Sequence, residues 1–217
     1  MKKIALILAG GSGERMKSKI RKQFLPLNGM PVLMHTITHF LHFDKIILVL
    51  PKSEIDFWKR LCLQYNFTAK HTIIEGGKSR FHSVKNGLEK TNNNSIVAIH
   101  DGVRPIISKK LITLLISKTG PLTGSLPVLA ITSSLRKIKG EDSKHINRKN
   151  LYQTQTPQCF RAGDIKKAYS QRYSAFFTDD ASVFEKFGGK IITVLGERKN
   201  LKITTEEDLK IAEFFMQ

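Results

Sequence analysis

The stretch Ile4-Ala-Leu-Ile-Leu-Ala-Gly-Gly-Ser-Gly-Glu-Arg-Met16 decides the fold, because an apolar strand runs directly into three closely spaced glycines and an arginine. Glycine adopts positive φ and lets a ligand approach the backbone, so the N–H groups of Gly10, Gly11 and Gly13 can converge on an anion. Arg15 adds a positive charge beside them. The stretch predicts a strand followed by a phosphate-binding loop, with a purely structural tight turn as the simpler alternative.

Two commoner glycine motifs do not fit this loop. A phosphate loop of the ATPase kind ends in Gly-Lys-Ser/Thr, whereas Gly13 is followed by Glu14 and Arg15. The dinucleotide fingerprint requires a third glycine three places after the second, and that place holds Met16. The loop therefore belongs to another class of anion site.

Beyond the loop, apolar runs of strand length alternate with amphipathic helical patterns. The predicted strands are 45–50, 72–75, 95–100, 126–130 and 191–195, and the predicted helices follow Pro31, Ser53, Gly77, Ser108, Gly163, Thr178 and a capping box at 204–207. This alternation predicts an α/β fold, a Rossmann-like, mostly parallel sheet covered by helices on both faces. We expect one domain over residues 1–217.

Polar, glycine-bearing segments recur where the predicted strands end, at residues 9–15, 76–83 and 101–105. Ligands of such sheets bind at the carboxyl ends of the strands, so these segments are expected to converge. Asp101 could there hold Mg²⁺ against a nucleotide, or it could simply cap a turn. Arg104 is either part of the site or a structural partner of Asp101. With no nucleophile triad evident, Mg²⁺-assisted phosphoryl or nucleotidyl transfer is favoured.

Residues 132–155 break the alternation. They are predicted to form two polar strands joined by a turn, with too few apolar side chains for a core. Such a hairpin is either a flap or an arm for a partner subunit. Residues 132–155 are therefore predicted to be a protruding β-arm subregion, and both roles, a flap and an arm for dimerisation, remain open at this point.

The composition is that of a globular protein with an extreme formal charge of +18. Such a charge favours anionic substrates or nucleic acid as partners. The basic residues are diffuse apart from a cluster between Arg15 and Lys22. No apolar run reaches the roughly 20 residues needed to cross a bilayer, so we expect a cytoplasmic protein without a membrane partner. Cys62 and Cys159 have no metal spacing and are expected to be buried free thiols.

Six ordered blocks resemble one family over nearly the whole chain. They are Leu8-Ala-Gly-Gly-Ser-Gly-Glu-Arg-Met16 with Lys22-Gln-Phe24, Gly76-Gly-Lys-Ser-Arg-Phe-His-Ser-Val-Lys-Asn-Gly-Leu88, His100-Asp-Gly-Val-Arg-Pro105, Gln153-Thr-Gln-Thr-Pro-Gln158, Thr178-Asp-Asp-Ala-Ser182 and Asn200-Leu-Lys-Ile-Thr204. The first is similar to the signature of sugar-phosphate nucleotidyltransferases. Together the six resemble 2-C-methyl-D-erythritol 4-phosphate cytidylyltransferases.

The resemblance implies an Mg²⁺-dependent homodimer that joins CTP to methylerythritol phosphate, with release of pyrophosphate, in the non-mevalonate route to isoprenoid precursors. It implies that Arg15 and Lys22 are catalytic, and that Asp101 binds the metal. The implied nucleotide-binding residues are Ala9, Gly10, Gly11, Gly13, Gly76, Gly77, Ser83 and Asp101. The implied substrate-positioning residues are Arg148, Lys202, Arg104, Ser134 and Thr156. Arg148, on the arm, would serve the neighbouring subunit's site.

Two positions depart from the family's usual pattern, in which a proline precedes Lys22 and a threonine takes the place of Ser134. Here Arg21 precedes the lysine, and either loosens the loop or adds charge to the site. Two alternatives remain open. A ribitol-5-phosphate cytidylyltransferase shares most of the six blocks, and a basic nucleic-acid-binding protein would explain the charge. The second is disfavoured because the phenylalanines occupy core-like positions rather than an exposed basic face.

Overall fold

The structure is a computed structural model that describes residues 1–11 and 20–217, and it contains the predicted alternation of strands and helices. The described strands are β1 (Lys2–Leu8), β2 (Pro26–Leu27), β3 (Met30–Pro31), β4 (Lys45–Leu50), β5 (Thr72–Glu75), β6 (Ser95–Asp101), β7 (Thr123–Ala130), β8 (Leu135–Lys139), β9 (Asp142–Ile146), β10 (Tyr152–Thr154), β11 (Gln158–Arg161) and β12 (Lys190–Leu195). The described helices are α1 (Val32–Thr38), α2 (Ile55–Gln64), α3 (Arg80–Glu89), α4 (Lys109–Lys118), α5 (Ala162–Ala168), α6 (Asp180–Lys186) and α7 (Glu206–Phe215).

Eight strands form one mostly parallel sheet. Its order is β10-β7-β11-β6-β1-β4-β5, and β12 also pairs with β7. The pairs β6–β1, β1–β4, β4–β5 and β7–β12 are parallel, whereas β10 and β11 are antiparallel to their neighbours. The central strands β4 and β6 are buried almost throughout, as their near-continuous apolar sequences predict. The Rossmann-like sheet is confirmed.

Helices cover both faces of this sheet. One core contains Trp58 from α2 and Leu111 from α4, together with side chains of α1. The other contains Phe81 from α3, Ile165 from α5 and Phe184 from α6. Within the described ranges, no helix is long and apolar enough to cross a membrane.

Several predicted helix starts are wrong by one or two residues. Helix α5 begins at Ala162, whereas the sequence places its start after Gly163. Ser53 lies in a 3-10 turn, and α2 begins at Ile55. Helix α6 is capped by Asp179 rather than Thr178. The Asp179 carboxylate accepts the Ser182 N–H, and the Ser182 hydroxyl accepts the Asp179 N–H. Helix α7 is capped by Thr205 rather than Thr204, again through a reciprocal pair three residues apart.

The hairpin formed by β8 and β9 is the part of the predicted arm that projects from the body. It pairs Leu135 with Ile146 and turns at Gly140, whose φ is +61°. Residues 136–145 are all exposed. The rest of the arm returns to the body, since β10 pairs with β7 in the main sheet. The hairpin is therefore shorter than the arm 132–155, and its role in dimerisation stays a prediction.

Candidate active site

A pocket of about 460 Å³ lies at the carboxyl ends of β1 and β6. This is the edge at which the sequence predicts convergence of the polar segments. Predicted site residues in its wall are Ala9, Gly10, Gly11, Lys22, Gly77, Ser83, Asp101 and Lys202. The structure therefore brings together segments that lie as far apart in the chain as Ala9 and Lys202.

The loop after β1 opens into this pocket. Gly10 and Gly11 are exposed, and a Cβ added to either would have no neighbouring atom within 4 Å, so a ligand is free to approach their backbones. Gly13 and Arg15 lie outside the described residues, and their roles stay predictions.

Lys22 reaches the pocket from a 3-10 turn at Lys22–Phe24. The next side chain, Gln23, donates from Nε2 to the carbonyl oxygen of Ala9 at 2.9 Å and so ties this turn to the end of β1. Arg21 instead pairs with Glu54, with 2.7 Å between Nε and Oε1. The charge of Arg21, the residue that departs from the family pattern, is therefore paired with an acid at the start of α2.

The turn before α3 forms another wall. The Ser83 hydroxyl accepts the Gly77 N–H at 3.1 Å and donates to the Ser79 carbonyl at 2.9 Å. A Cβ on Gly77 would lie only 2.4 Å from the Cβ of His82, so the turn requires glycine at this position. Ser83 therefore stabilises the turn that, together with Ser83 itself, is predicted to bind the nucleotide. Gly76 precedes this turn, and its N–H bonds to the Leu50 carbonyl at 2.8 Å.

Asp101 lies at the centre of a ring of cations. Its Oδ2 is 3.2 Å from Arg104 Nε and 3.2 Å from Lys202 Nζ, and its Oδ1 is 4.0 Å from Arg80 Nε. Burial alone would raise the pKa of this carboxyl, but Lys202, Arg80 and Arg104 hold the pKa well below its usual range. Asp101 is therefore an ionised carboxylate in a site of net positive charge.

A buried histidine, His100, is linked to the backbone of Asp101 through the hydroxyl of Thr156. His100 is fully buried, and its Nε2 lies 3.2 Å from the Arg104 carbonyl, which requires a proton on Nε2. Nδ1 therefore accepts from the Thr156 hydroxyl at 3.0 Å, and that hydroxyl accepts the Asp101 N–H at 3.0 Å. Burial lowers the pKa of His100 to about 3, so the ring stays neutral. Thr156 is itself buried and acts on the site through this backbone contact.

A second pocket adjoins the first and shares Lys202 and Thr204 with it. Its wall also includes Arg104, the polar residues Gln153 and Arg198, and apolar side chains of β7 and β12. Two bonds fix the loop that leads to Lys202: the Gln155 amide and the Arg104 guanidinium both donate to the carbonyl oxygen of Asn200, at 3.1 and 2.9 Å. These bonds hold the backbone that leads to Lys202, whose side chain lines both pockets.

The arm residues lie apart from the first pocket. Arg148 donates from its guanidinium to the carbonyl oxygen of Thr132, which lines the second pocket. Ser134 is exposed just before β8. Neither side chain is among the described residues that line the first pocket. If Arg148 acts there, it must do so from another position or another subunit.

The donor set around Asp101 suits a metal that is shared with a substrate. Across residues 1–11 and 20–217, no group of three or more His, Cys, Asp or Glu could hold a metal ion by itself. Mg²⁺ is commonly bound by one or two carboxylates plus substrate phosphates, with water filling the other positions. Asp101 lines the pocket and supplies one such carboxylate.

Several residues of the site escaped the sequence reasoning. Arg80 lines the first pocket, and its guanidinium binds Asp180 by two bonds of 2.9 and 2.7 Å. Gln155 and Asn200 fix the loop before Lys202. All of these lie inside the quoted blocks, and that membership was the available signal. Their partners are about 40 to 100 residues away in the chain, so no local pattern identifies them.

Comparisons with known proteins agree over the whole chain. A family model described as 2-C-methyl-D-erythritol 4-phosphate cytidylyltransferase matches residues 3–217. Relatives of that name from Bacteroides fragilis and Porphyromonas gingivalis are 46% and 41% identical, over 98% and 99% of this chain and 98% of each relative. The crystal structure of the Francisella tularensis protein of that name is 32% identical, with a TM-score of 0.83 and coverage of 99% of each chain. The 4-diphosphocytidyl-2C-methyl-D-erythritol synthase structure from Anaerococcus prevotii has a TM-score of 0.80 at 29% identity, over 100% of this chain and 96% of that one.

Proposed function

The chain belongs to the 2-C-methyl-D-erythritol 4-phosphate cytidylyltransferase family, and from this premise we propose that its two adjoining pockets carry out the family's reaction. The substrates are CTP and methylerythritol phosphate, and the products are 4-diphosphocytidyl-2-C-methyl-D-erythritol and pyrophosphate. The reaction supplies the non-mevalonate isoprenoid pathway. The observation that carries the proposal is the position of Lys202, which lines both pockets and contacts Asp101 between them.

The first pocket is proposed to bind CTP. Gly10 and Gly11 are exposed with open space beside them, so phosphate oxygens can approach their backbones, and the turn held by Ser83 offers a wall for the base and ribose. Lys22 supplies positive charge beside this loop. We assign Arg15 to the same task, in keeping with the sequence prediction.

The second pocket is proposed to bind methylerythritol phosphate. A phosphate oxygen of this acceptor attacks the α-phosphorus of CTP, and the bond from that phosphorus to the bridging oxygen breaks to release pyrophosphate. Negative charge grows on the α-phosphate oxygens, where Lys22 and Arg15 would stabilise it. Lys202 and Arg104 would hold the acceptor phosphate beside the first pocket. Mg²⁺, when bound by Asp101 and the phosphates of CTP, would neutralise further charge.

The test is pyrophosphate release with CTP and Mg²⁺ against a panel of acceptors. We expect methylerythritol phosphate to give the highest kcat/KM, above ribitol 5-phosphate and glycerol 3-phosphate. Omission of Mg²⁺, with EDTA present, is expected to stop the reaction. A higher kcat/KM with ribitol 5-phosphate would overturn the acceptor assignment, although the comparisons do not favour that alternative. Full activity in EDTA would overturn the metal assignment.

We further propose that the enzyme is a homodimer built through the arm. The hairpin exposes residues 136–145, so a second copy is the economical way to order it. Light scattering during gel filtration is expected to give twice the chain mass of 24.6 kDa. Replacing residues 136–145 by a short turn is expected to give the monomer mass. A monomer of the intact chain at micromolar concentration would contradict the proposal.

The cytoplasmic location and the absence of a nucleic-acid partner stay predictions. The charge of +18 is consistent with polyanionic substrates. Filter binding to DNA and RNA at physiological salt tests the alternative, because binding driven by phosphate contacts falls steeply with salt.

A further inference from the structure

Arg80, the first residue of α3, connects two acids that lie on opposite sides of it. Its Nη1 and Nη2 donate to Oδ1 and Oδ2 of Asp180 at 2.9 and 2.7 Å, a bidentate arrangement that fixes the plane of the guanidinium. Its Nε lies 4.0 Å from Asp101 Oδ1. The side chain remains 32% exposed where it lines the first pocket. Arg80 therefore links a buried acid of α6 to the acid at the centre of the site.

Asp180 is an immobile anchor for this arginine. It is fully buried, and the Tyr169 hydroxyl donates to its Oδ1 at 2.6 Å. Its helix is tied to β11 through Gln158, which accepts the Ala181 N–H at 2.8 Å and donates to Asp179 at 2.9 Å. Rotation of the Asp180 carboxylate would break its bond from Tyr169 and both bonds from Arg80, so this buried acid restrains the guanidinium of Arg80.

The two oxygens of Asp101 are held differently. Arg104 and Lys202 both contact Oδ2 at 3.2 Å, whereas the cation beside Oδ1 is Arg80, at 4.0 Å, and both Asp101 and Arg80 line the first pocket. A carboxylate that is held through one oxygen can turn about its Cβ–Cγ bond. The Arg80 cation near Oδ1 opposes that rotation and so holds the plane of the Asp101 carboxylate at the edge of the pocket. Stability alone does not explain such a pair, because buried ion pairs are weak stabilisers compared with apolar packing.

We propose that Arg80 is a positioning residue for cytidylyl transfer. It holds the Asp101 carboxylate in its working orientation, while Asp180 and Tyr169 hold Arg80. The inference rests on the proposed function of the pocket. Because Arg80 acts through Asp101 and not on the nucleotide directly, its loss is expected to lower kcat and to leave CTP affinity nearly unchanged.

The test uses the full chain with the double substitution Arg80→Gln and Asp180→Asn. Two amides keep the mutual hydrogen bonding of the pair, and the amide oxygen introduced at position 180 can still accept from the Tyr169 hydroxyl. Lys85→Gln is the matched control, since Lys85 is an exposed cation on the same helix. The measurements are kcat for pyrophosphate release, the Kd of CTP by calorimetry, and the thermal midpoint.

We expect the double variant to lose at least about tenfold in kcat, because small misplacements at a reacting centre have large effects on rate. Its Kd for CTP should stay within about threefold of the wild type. The single variant Arg80→Lys keeps a cation near Asp101, so its kcat should fall less than that of the double variant. The control should match the wild type in all three measurements.

Four results would overturn the inference. One is a kcat within about twofold of the wild type with a lowered midpoint, which would make the pair purely structural. Another is a loss confined to CTP affinity, which would make Arg80 a nucleotide contact. If the double variant does not fold, Tyr169→Phe decides, and an unchanged kcat there counts against the proposal. A wild type that releases no pyrophosphate with any acceptor contradicts the proposed function itself, and the inference falls with it.

Discussion

In the pocket, Asp101 is buried with three cations within 4.0 Å, whereas on the hairpin every residue from 136 to 145 is exposed. The pocket side chains are fixed by partners elsewhere in the same chain, such as His100 and Asn200. The hairpin has its own ladder between β8 and β9 and the bonds that Arg136 donates to Ser143. The pocket is thus preorganised by burial, whereas the hairpin is held by contacts between its own two strands.

Because of this difference, the pocket and the hairpin can serve different parts of the proposed reaction. Binding and activating a polyanion requires charges at fixed positions, which a buried network provides. Reaching a neighbouring subunit requires a segment that leaves the body, and such a segment cannot be packed by its own core. Substitutions in the pocket should therefore affect the rate strongly, and those on the hairpin should affect mainly local order.

The largest effect is expected from Asp101→Asn. The amide keeps the shape but removes the charge that balances Arg80, Arg104 and Lys202 and that would hold Mg²⁺. Pyrophosphate release should fall below detection at ordinary Mg²⁺ concentrations, with the circular dichroism spectrum unchanged. Near-normal turnover would mean that Asp101 serves only as a turn residue. It would contradict the claim that the buried charges of the pocket are needed for the reaction.

Lys22→Ala should lower kcat at least about a hundredfold, as the loss of one donor to a developing charge typically does. The measurement is kcat and KM for CTP, with Lys110→Ala on the exposed face of α4 as the control. A variant with reduced CTP affinity and an intact kcat would show that Lys22 acts on the ground state only.

His100 should make the protein less stable in acid. Its pKa is about 3 in the folded protein and about 6.5 when unfolded, so between these values the unfolded chain binds one more proton. Above about pH 6.5 the ring is neutral in both states and this contribution is zero; below that value the unfolding free energy falls with the pH, down to the folded-state pKa of about 3. Between about pH 8 and pH 5 the wild type should lose about 2 kcal/mol more unfolding free energy than His100→Gln. Urea unfolding at both pH values measures this, with His145→Gln on the exposed hairpin as the control. Equal losses in wild type and His100→Gln would contradict the assignment.

The smallest effect is expected on the hairpin, where Lys137 stands directly opposite Lys144. Like charges in this register destabilise a strand pair, so Lys144→Glu should stabilise the hairpin by about 0.2–1 kcal/mol. Hydrogen exchange of the β8 and β9 amides should slow, while the thermal midpoint of the body stays the same. An unchanged exchange rate would mean that the hairpin is already ordered by other contacts.

The sheet could be predicted from the sequence because buried parallel strands have near-continuous apolar sequences, as in β4 and β6. The convergence of Ala9, Ser83 and Asp101 followed from the rule that strand ends share one edge. Helix starts were less accurate, because several neighbouring residues could cap and only the folded geometry selects Asp179 or Thr205.

The network behind the pocket could not be predicted. Arg80 and Asp180 are 100 positions apart, and their pairing depends on how α3 and α6 pack against the same sheet face. The two readings of Arg104 were also left open by the sequence. In the structure Arg104 contacts Asp101, as a structural partner would, and it also lines the second pocket, as a residue of the site would.

The most direct test of this division between pocket and arm is subunit exchange between Lys22→Ala and Arg148→Ala. Each variant alone should be nearly inactive. If Arg148 serves the neighbouring subunit, one site of each mixed dimer carries both lesions and the other carries none. Up to about half of the sites in mixed dimers should then work. Activity that stays at the level of the separate variants, while native mass spectrometry confirms mixed dimers, would show that Arg148 acts within its own chain and would contradict the shared site.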